Sequence, residues 1–456
     1  MKALTSLLHS QIIFWLAWIV IPMMMEIIPV FFDFLILIKR KFVKKSHHEL
    51  EYLPYVSMII PIYNSAGTLY DCIKSISDSS YDGNQIGILC VDNGSKDNSF
   101  EIFCKCQVDF PNLRLNWINA RQGKSKALNM ALFNCDGKYV MHIDSDGVLH
   151  KEAIRNMVTL FEYNQKVHCI TGTVLTNPEF IQKTKNPFLR IFQETEFFEY
   201  CQAFLAGRNF QSEYNSIFTL SGAFSAFRKA TIMETQLYNT DTVCEDTHIT
   251  FQVRNNLKKK VALCEDAYFF VNPIEDINHL YTQRQRWQRG ELEVAHMFKS
   301  NKNAGVHRFF SDFVIRLLMY DHTFAFPRMI WYFALVCLAF MKYSPIMILE
   351  SVIAIYLLYL ISGYLFYLII CGFLNADKKL LKYYRRRWYQ IFLLPIYNFL
   401  VFWFRFAGII NSIRSEQNWR TKDLMQEYQT AKQVIHGDLM EIRKVIHNLR
   451  KYIERE

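Results

Sequence analysis

The stretch MHIDSDGVLH (141–150) sets two carboxylates, Asp144 and Asp146, one residue apart, after the apolar run KYVMHI and before a glycine. On a strand, side chains two apart share a face, so the pair can converge on one point. Oxygen ligands with open positions suit Mg²⁺ or Mn²⁺ bridging phosphates, and an ordinary polar turn accounts for the same letters. A second acidic pair, Glu245–Asp246 in TVCEDTHITFQVRNN (242–256), opens a predicted helix whose apolar face is Ile249, Val253 and Leu257. Acids there complement a helix dipole. Alternatively, one of them takes a proton from an acceptor hydroxyl as a general base.

Three more groupings have similar double readings. In VDNGSKDNS (91–99), Asp92 and Asn93 end a predicted strand. They form either an Asx-type turn or a recognition edge for a nucleobase and ribose. RQGKSKALN (121–129) places Gly123 and Lys124 ahead of a helix, where a backbone N-terminus and an ammonium can meet a diphosphate. In YTQRQRWQRG (281–290), Gln283, Arg286 and Trp287 share one helical face. A guanidinium beside an indole suits a leaving diphosphate next to a stacked sugar ring, and a basic amphipathic helix on a membrane surface fits too.

The elements that must position these groups alternate. Apolar strands are predicted at 55–64, 85–95, 113–120 and 138–144, with a helical spacing at 68–76 between the first two. Strand, helix, strand in repetition implies an α/β, mostly parallel sheet, and such sheets bind ligands at the carboxyl ends of their strands. Asn64, Asp92–Asn93 and Asp144–Asp146 all fall there.

The chain has 456 residues, room for one or two full cores. Its 51% hydrophobic content is high for a soluble protein, and the excess sits at the N-terminus and in the last third. The run 10–38 is long enough to span a bilayer and too long for a cleaved signal. Two further spans are expected at 324–341 and 346–374, split by KYSP, and 390–412 either lies in the interface or spans. An interfacial helix is expected at 301–323. The net charge of +10 concentrates beside these segments, in KRKFVKK (39–45) and KKLLKYYRRR (378–387). That placement argues for cytoplasmic membrane anchors and against nucleic acid as a partner. It puts the middle of the chain in the cytoplasm of a multi-pass plasma-membrane protein. The 11 cysteines are scattered without metal-type pairs, in keeping with a reduced setting. From 413 onward the chain reads as a polar segment and then an amphipathic helix.

The order of these motifs resembles the family 2 membrane glycosyltransferases, which include the synthases of cellulose, hyaluronan, chitin and poly-N-acetylglucosamine. Asp92–Asn93, Lys124, Asp144–Asp146, SGAFSAFRK (221–229), Glu245–Asp246 and the QxxRW at Gln283–Trp287 follow one another as they do there. The resemblance implies a GT-A fold over 52–300 and a UDP-sugar donor in the cytoplasm. By it, Asn64, Asp92, Asn93, Lys124, Asp144 and Arg286 contact the nucleotide sugar, and Asp146, with Asp144, ligates Mg²⁺ or Mn²⁺. Asp246 is the base of a single inverting displacement, with Glu245 beside it. Ser221, Gly222, Gln283, Trp287 and Trp419 line the acceptor. Trp419 lies in NWRTKDL (418–424), which looks like the gating-loop element of these synthases and opens the gating-loop-like segment and amphipathic helix of 413–456. Asn93 and Cys244 stand where the family often has Asp and Thr. SGAFSAFRK looks most like the poly-N-acetylglucosamine synthases, favouring UDP-GlcNAc over UDP-Glc. A processive synthase of extracellular polysaccharide is therefore expected, with membrane lipids and a possible small membrane subunit as partners. The alternatives are transfer of one sugar to a lipid-linked acceptor and a catalytically silent scaffold.

Overall fold

The computed structural model describes residues 27–42, 50–298, 326–341 and 343–414. The middle of the chain is built on an eight-stranded sheet in the order β3-β2-β1-β4-β7-β6-β8-β5. Its first half comprises β1 (Val56–Ile62), β2 (Ile86–Asp92), β3 (Arg114–Asn119) and β4 (Tyr139–Ile143), all paired in parallel. The four predicted strands lie where expected, as does the helix over 68–76. The connections carry α1 (Leu69–Ser77), α2 (Ser99–Asp109) and α3 (Lys124–Phe133). Parallel strands covered on both sides need apolar residues at consecutive positions. In β1, Met58 and Ile60 enter one core cluster and Ile59 enters the opposite one.

The second half brings in β5 (Gly147–Leu149), α4 (Ala153–Tyr163), β6 (Val167–Thr176), α5 (Pro187–Tyr200), β7 (Phe224–Arg228), α6 (Glu245–Phe251), β8 (Lys260–Val271) and α7 (Ile277–Met297). β7 runs antiparallel to both β4 and β6, and β6 pairs β8 in parallel across a register shift between Thr171 and Thr173. The DxD pair lies in the turn between β4 and β5 rather than on a strand, because β4 ends at Ile143 and the Asp144 N–H turns to the Ala223 carbonyl at 3.0 Å. The same-face argument from strand spacing is corrected accordingly.

The apolar segments are helices. The C-terminal part of the expected 10–38 span is helical over Ile28–Phe42, running on through the start of the basic run. The expected 324–341 helix is seen as α8 (Phe326–Phe340), and that at 346–374 as α9 (Pro345–Phe373), with Ser344 at the N-cap of α9. α10 (Lys378–Arg386) carries the second basic run, and α11 (Gln390–Arg414) is one continuous helix through Pro395. Two stretches, Pro345–Ala376 and Gln390–Asn411, are long and apolar enough to cross a membrane. Ile346, Leu349, Ile353, Leu357 and Ile361 form an exposed apolar row along α9. Arg405 on α11 is buried and donates to Gln288 of α7 at 3.4 Å, so its charge faces protein. The segments 10–26, 301–323 and 415–456, with Trp419, lie outside the described residues.

Glu194 of α5 joins the two parts. Its carboxylate accepts from Arg387 Nε at 2.8 Å, the Tyr389 hydroxyl at 2.8 Å and Gln390 Nε2 at 3.0 Å. Removing one partner of a buried network strands the others. Glu194→Ala is therefore expected to destabilise the protein by roughly 3 kcal/mol, and Glu194→Gln by less. Thermal unfolding in detergent measures this, and an unchanged midpoint for Glu194→Ala would show that the network does not hold α10 and α11 to the sheet domain.

Candidate active site

The strand ends converge on one cleft, and Lys124 sits at its centre. As the first residue of α3, it extends its ammonium to Asp144 Oδ1 at 2.7 Å, to Glu245 Oε1 at 3.4 Å and to the Gly222 carbonyl at 3.5 Å. Burial alone would lower its pKa, but Asp144 and Glu245 more than reverse this and hold the ammonium charged. The pairs Asp144–Asp146 and Glu245–Asp246, some hundred residues apart in sequence, thus meet across one cation.

The two halves of each acidic pair differ. Burial, and then the Asp144 charge, push the Asp146 carboxyl above its ordinary range. Asp246 is pushed up to about 6 by burial and by Glu245, with Lys124 opposing. Its Oδ2 accepts from Gly222 N–H at 3.1 Å and its Oδ1 from Thr247 N–H at 2.7 Å, which fixes the carboxylate plane. A Cβ on Gly222 would lie 2.9 Å from Asp246 Oδ2, so only glycine lets this loop approach. Ser221 is buried and fastened by its N–H to Thr171 Oγ1 at 2.9 Å. Cys244 packs against Gly290 of α7, where a Cβ would meet its Sγ, and so joins the acidic helix to the QxxRW helix.

The nucleotide-side residues are arranged with one surprise. Asn93 Oδ1 accepts from Gly123 N–H at 2.5 Å, and Gly123 has φ +132, a conformation glycine adopts freely. This bond ties the end of β2 to the loop that delivers Lys124. Asp92 Oδ1 accepts from Ser95 N–H at 3.0 Å, the Asx-turn geometry. Asn64, at φ +50, uses its side-chain oxygen to accept from Lys96 N–H at 2.9 Å, stapling the loop after β1 to the loop after β2. These side chains therefore tie the loops after β1 and β2 and the start of α3 to one another.

On α7, Arg286 is exposed, and its charge is a minor influence that opposes the upward shift of Asp146 set by burial and Asp144. Gln283 and Trp287 are half-buried, and Gln283 Oε1 is buried with no donor among the described residues. The guanidinium over the Trp287 ring belongs to Arg284, at 4.4 Å, not to Arg286. Adjacent residues on a helix point about 100° apart, whereas i and i+3 face each other. The expectation of Arg286 beside the indole is corrected on that ground.

Sequence reasoning also missed His142, Arg208 and the Ser65–Ser145 contact. His142 is buried behind Asp144 and pushed down to about 3 by burial and Lys124, so it is neutral. Arg208, buried, donates to Thr171 Oγ1 at 3.0 Å. Its pKa is lowered to about 10 by burial, with the Asp246 charge opposing. Ser65 and Ser145 hydroxyls at 2.7 Å tie the first strand loop to the DxD turn. No spacing rule marks these residues, which are brought in by sheet order alone.

Asp144 and Asp146 offer a hard cation two carboxylates, one of them costly to ionise when buried, so the donor chemistry fits Mg²⁺ or Mn²⁺. Among the described residues no group of three His, Cys, Asp or Glu side chains converges, so other oxygens must complete the shell.

The family model "Glycosyl transferase family 2" matches residues 57–235. The matched region takes in the sheet from β1 to the end of β7 and is similar to a family 2 glycosyltransferase domain. Poly-beta-1,6-N-acetyl-D-glucosamine synthase of Staphylococcus epidermidis strain RP62A is 28% identical over 254 residues, 55% of this chain and 57% of that protein. The enzyme of that name from Staphylococcus aureus strain MSSA476 is 24% identical over 269 residues, 58% and 61%. The aligned region is thus a little over half the length of these curated relatives. The mannosyltransferase PcManGT from Pyrobaculum calidifontis, solved in complex with GDP-Man and Mn²⁺, superposes with a TM-score of 0.56 at 16% identity. It covers 87% of this chain and 98% of its own, and shares the GT-A fold.

With the free Asp246 carboxyl at about 6, kcat/KM is expected to rise through pH 6 and level above it. Lys124→Met removes a cation that favours the carboxylate, so the acid limb should move up by about one pH unit. A pH–rate profile of the two proteins checks this, and coincident limbs would separate Lys124 from Asp246.

Proposed function

We propose that this chain is an inverting, metal-dependent β-glycosyltransferase that uses a UDP-sugar, UDP-GlcNAc before UDP-Glc, to elongate an extracellular polysaccharide processively. The observation that carries the reading is the Asp246 carboxylate, oriented by Gly222 and Thr247, poised near neutrality and facing the Lys124–Asp144 pair. An acceptor hydroxyl attacks the anomeric carbon and Asp246 takes its proton. The glycosidic bond to UDP breaks with inversion, and UDP leaves with the bonding electron pair. Lys124 and Arg286 supply positive charge where the leaving diphosphate gains negative charge. Asp146 and Asp144 would hold Mg²⁺ or Mn²⁺, whose charge offsets that of the diphosphate. Asp92 and Asn93 lie at the end of β2, where a uracil and ribose would rest.

On the acceptor side, Trp287 offers a ring for a sugar face, and the orphaned Gln283 oxygen offers an acceptor for a sugar hydroxyl. Ser221 and Gly222 line the approach to Asp246, and Trp419 completes this side in the family resemblance. The poly-N-acetylglucosamine synthases among the relatives support the UDP-GlcNAc choice. The apolar rows on α9 and α11 and the flanking basic runs support a multi-pass plasma-membrane protein with the sheet domain in the cytoplasm.

Asp246→Asn is expected to lower UDP release from UDP-GlcNAc by at least about a thousandfold while UDP affinity stays within about twofold, in line with loss of a general base. Turnover retained within tenfold would remove Asp246 from that role. Treating purified membranes with a chelator should abolish incorporation, and added Mg²⁺ or Mn²⁺ should restore it; full activity in chelator would contradict the role of Asp146. Sizing the product separates elongation from addition of one sugar to a lipid.

A further inference from the structure

Arg284 is among the largest fully buried side chains, with 1% of its side chain exposed. Its Nη2 donates to Glu199 Oε2 at 2.5 Å, and Glu199 projects from the last turn of α5. The guanidinium carbon lies 4.4 Å from the centre of the Trp287 ring and 5.3 Å from that of Tyr200. Phe204 meets Trp287 at 6.1 Å edge-on, and Tyr200 meets Phe204 at 4.9 Å edge-on. The indole is thus held on a face by a cation and by an aromatic edge beside it.

A second carboxyl, Glu196, sits one turn back on α5. Burial pushes it up to about 8, and its Oε2 accepts from Ile274 N–H at 3.1 Å. Glu199, not Glu196, is the carboxylate paired directly with Arg284. The helix that carries this stack is also fixed from behind. A Cβ at Gly408 of α11 would lie 2.9 Å from the Gln285 carbonyl, so the backbones of α7 and α11 touch there. Arg286, two residues on, is exposed and has no share in the stack among the described residues.

We propose that Arg284, fastened by Glu199, is a positioning residue for acceptor binding, setting the ring plane of Trp287. This rests on the reading of Trp287 as an acceptor platform. The chemistry is specific to a guanidinium. Its planar, weakly hydrated face stacks on an indole while one edge pairs with a carboxylate. A lysine at 284 keeps the pair with Glu199 and loses the stack.

The test measures KM for a β-linked N-acetylglucosamine pentasaccharide, KM for UDP-GlcNAc and affinity for UDP, using the full-length protein in nanodiscs. Arg284→Lys should raise the pentasaccharide KM about tenfold and leave UDP affinity unchanged. Glu199→Gln should give the same acceptor-side defect. Arg286→Lys should instead raise the UDP-GlcNAc KM. Arg284→Lys combined with Trp287→Ala should be no worse for the acceptor than Trp287→Ala alone, because both act through one ring. If Trp287→Ala raises the pentasaccharide KM and Arg284→Lys does not, the positioning role is overturned and the platform reading stands. Additive effects in the double variant, or UDP affinity falling with acceptor affinity in Arg284→Lys, overturn it as well. If Trp287→Ala itself leaves the pentasaccharide KM unchanged, the platform reading fails and the proposal falls with it.

Discussion

The acidic pair Asp144–Asp146, in the turn after β4, and the pair Glu245–Asp246, at the start of α6, repel each other unless something positive stands between them. Lys124 is that charge, 2.7 Å from Asp144 and 3.4 Å from Glu245. Much of the surrounding structure serves to deliver it. Asn93 grips Gly123, the left-handed backbone at Gly123 starts α3, and the ammonium lands between two acidic motifs that are remote in sequence. Under the proposed function, a site with this balance would accommodate an incoming diphosphate and divalent cation by exchanging partners, without creating new buried charge.

The division of labour within each acidic pair follows from unequal burial and hydrogen bonding. Glu245 is paired with Lys124, whereas Asp246 is oriented by backbone N–H groups and left with an elevated proton affinity. The first arrangement suits a structural anion and the second suits a base. Gly222 completes the arrangement because no Cβ could sit against Asp246 Oδ2.

The parallel half of the fold was readable because β1, β2 and β4 are unbroken apolar runs ending in polar turns. The other half was not. β8 places Glu265 and Asp266 in the middle of a strand, and β6 shifts register against it, so no clean period marks either. Site residues that sit at strand ends, such as Asp92 and Asp144, were legible from position. Residues that act through a fold contact, such as Arg208 through Thr171 or His142 behind Asp144, depend on which strands become neighbours. The QxxRW helix was correctly placed, yet the stacked guanidinium is Arg284, because i and i+3 meet on a helix while neighbours diverge.

The acidic site, α7 and the apolar helices are joined by direct packing. α7 packs along α11, Glu194 clamps the chain around α10, and Cys244 packs on Gly290 to join the start of α6 to α7. The most direct test of the whole account is the anomeric configuration of the product. Purified protein supplied with UDP-GlcNAc and Mg²⁺ should yield a product whose new linkages are β by NMR, inverted from the α-linked donor. An α-linked product, or no transfer from any UDP-sugar, would contradict a single displacement driven by Asp246.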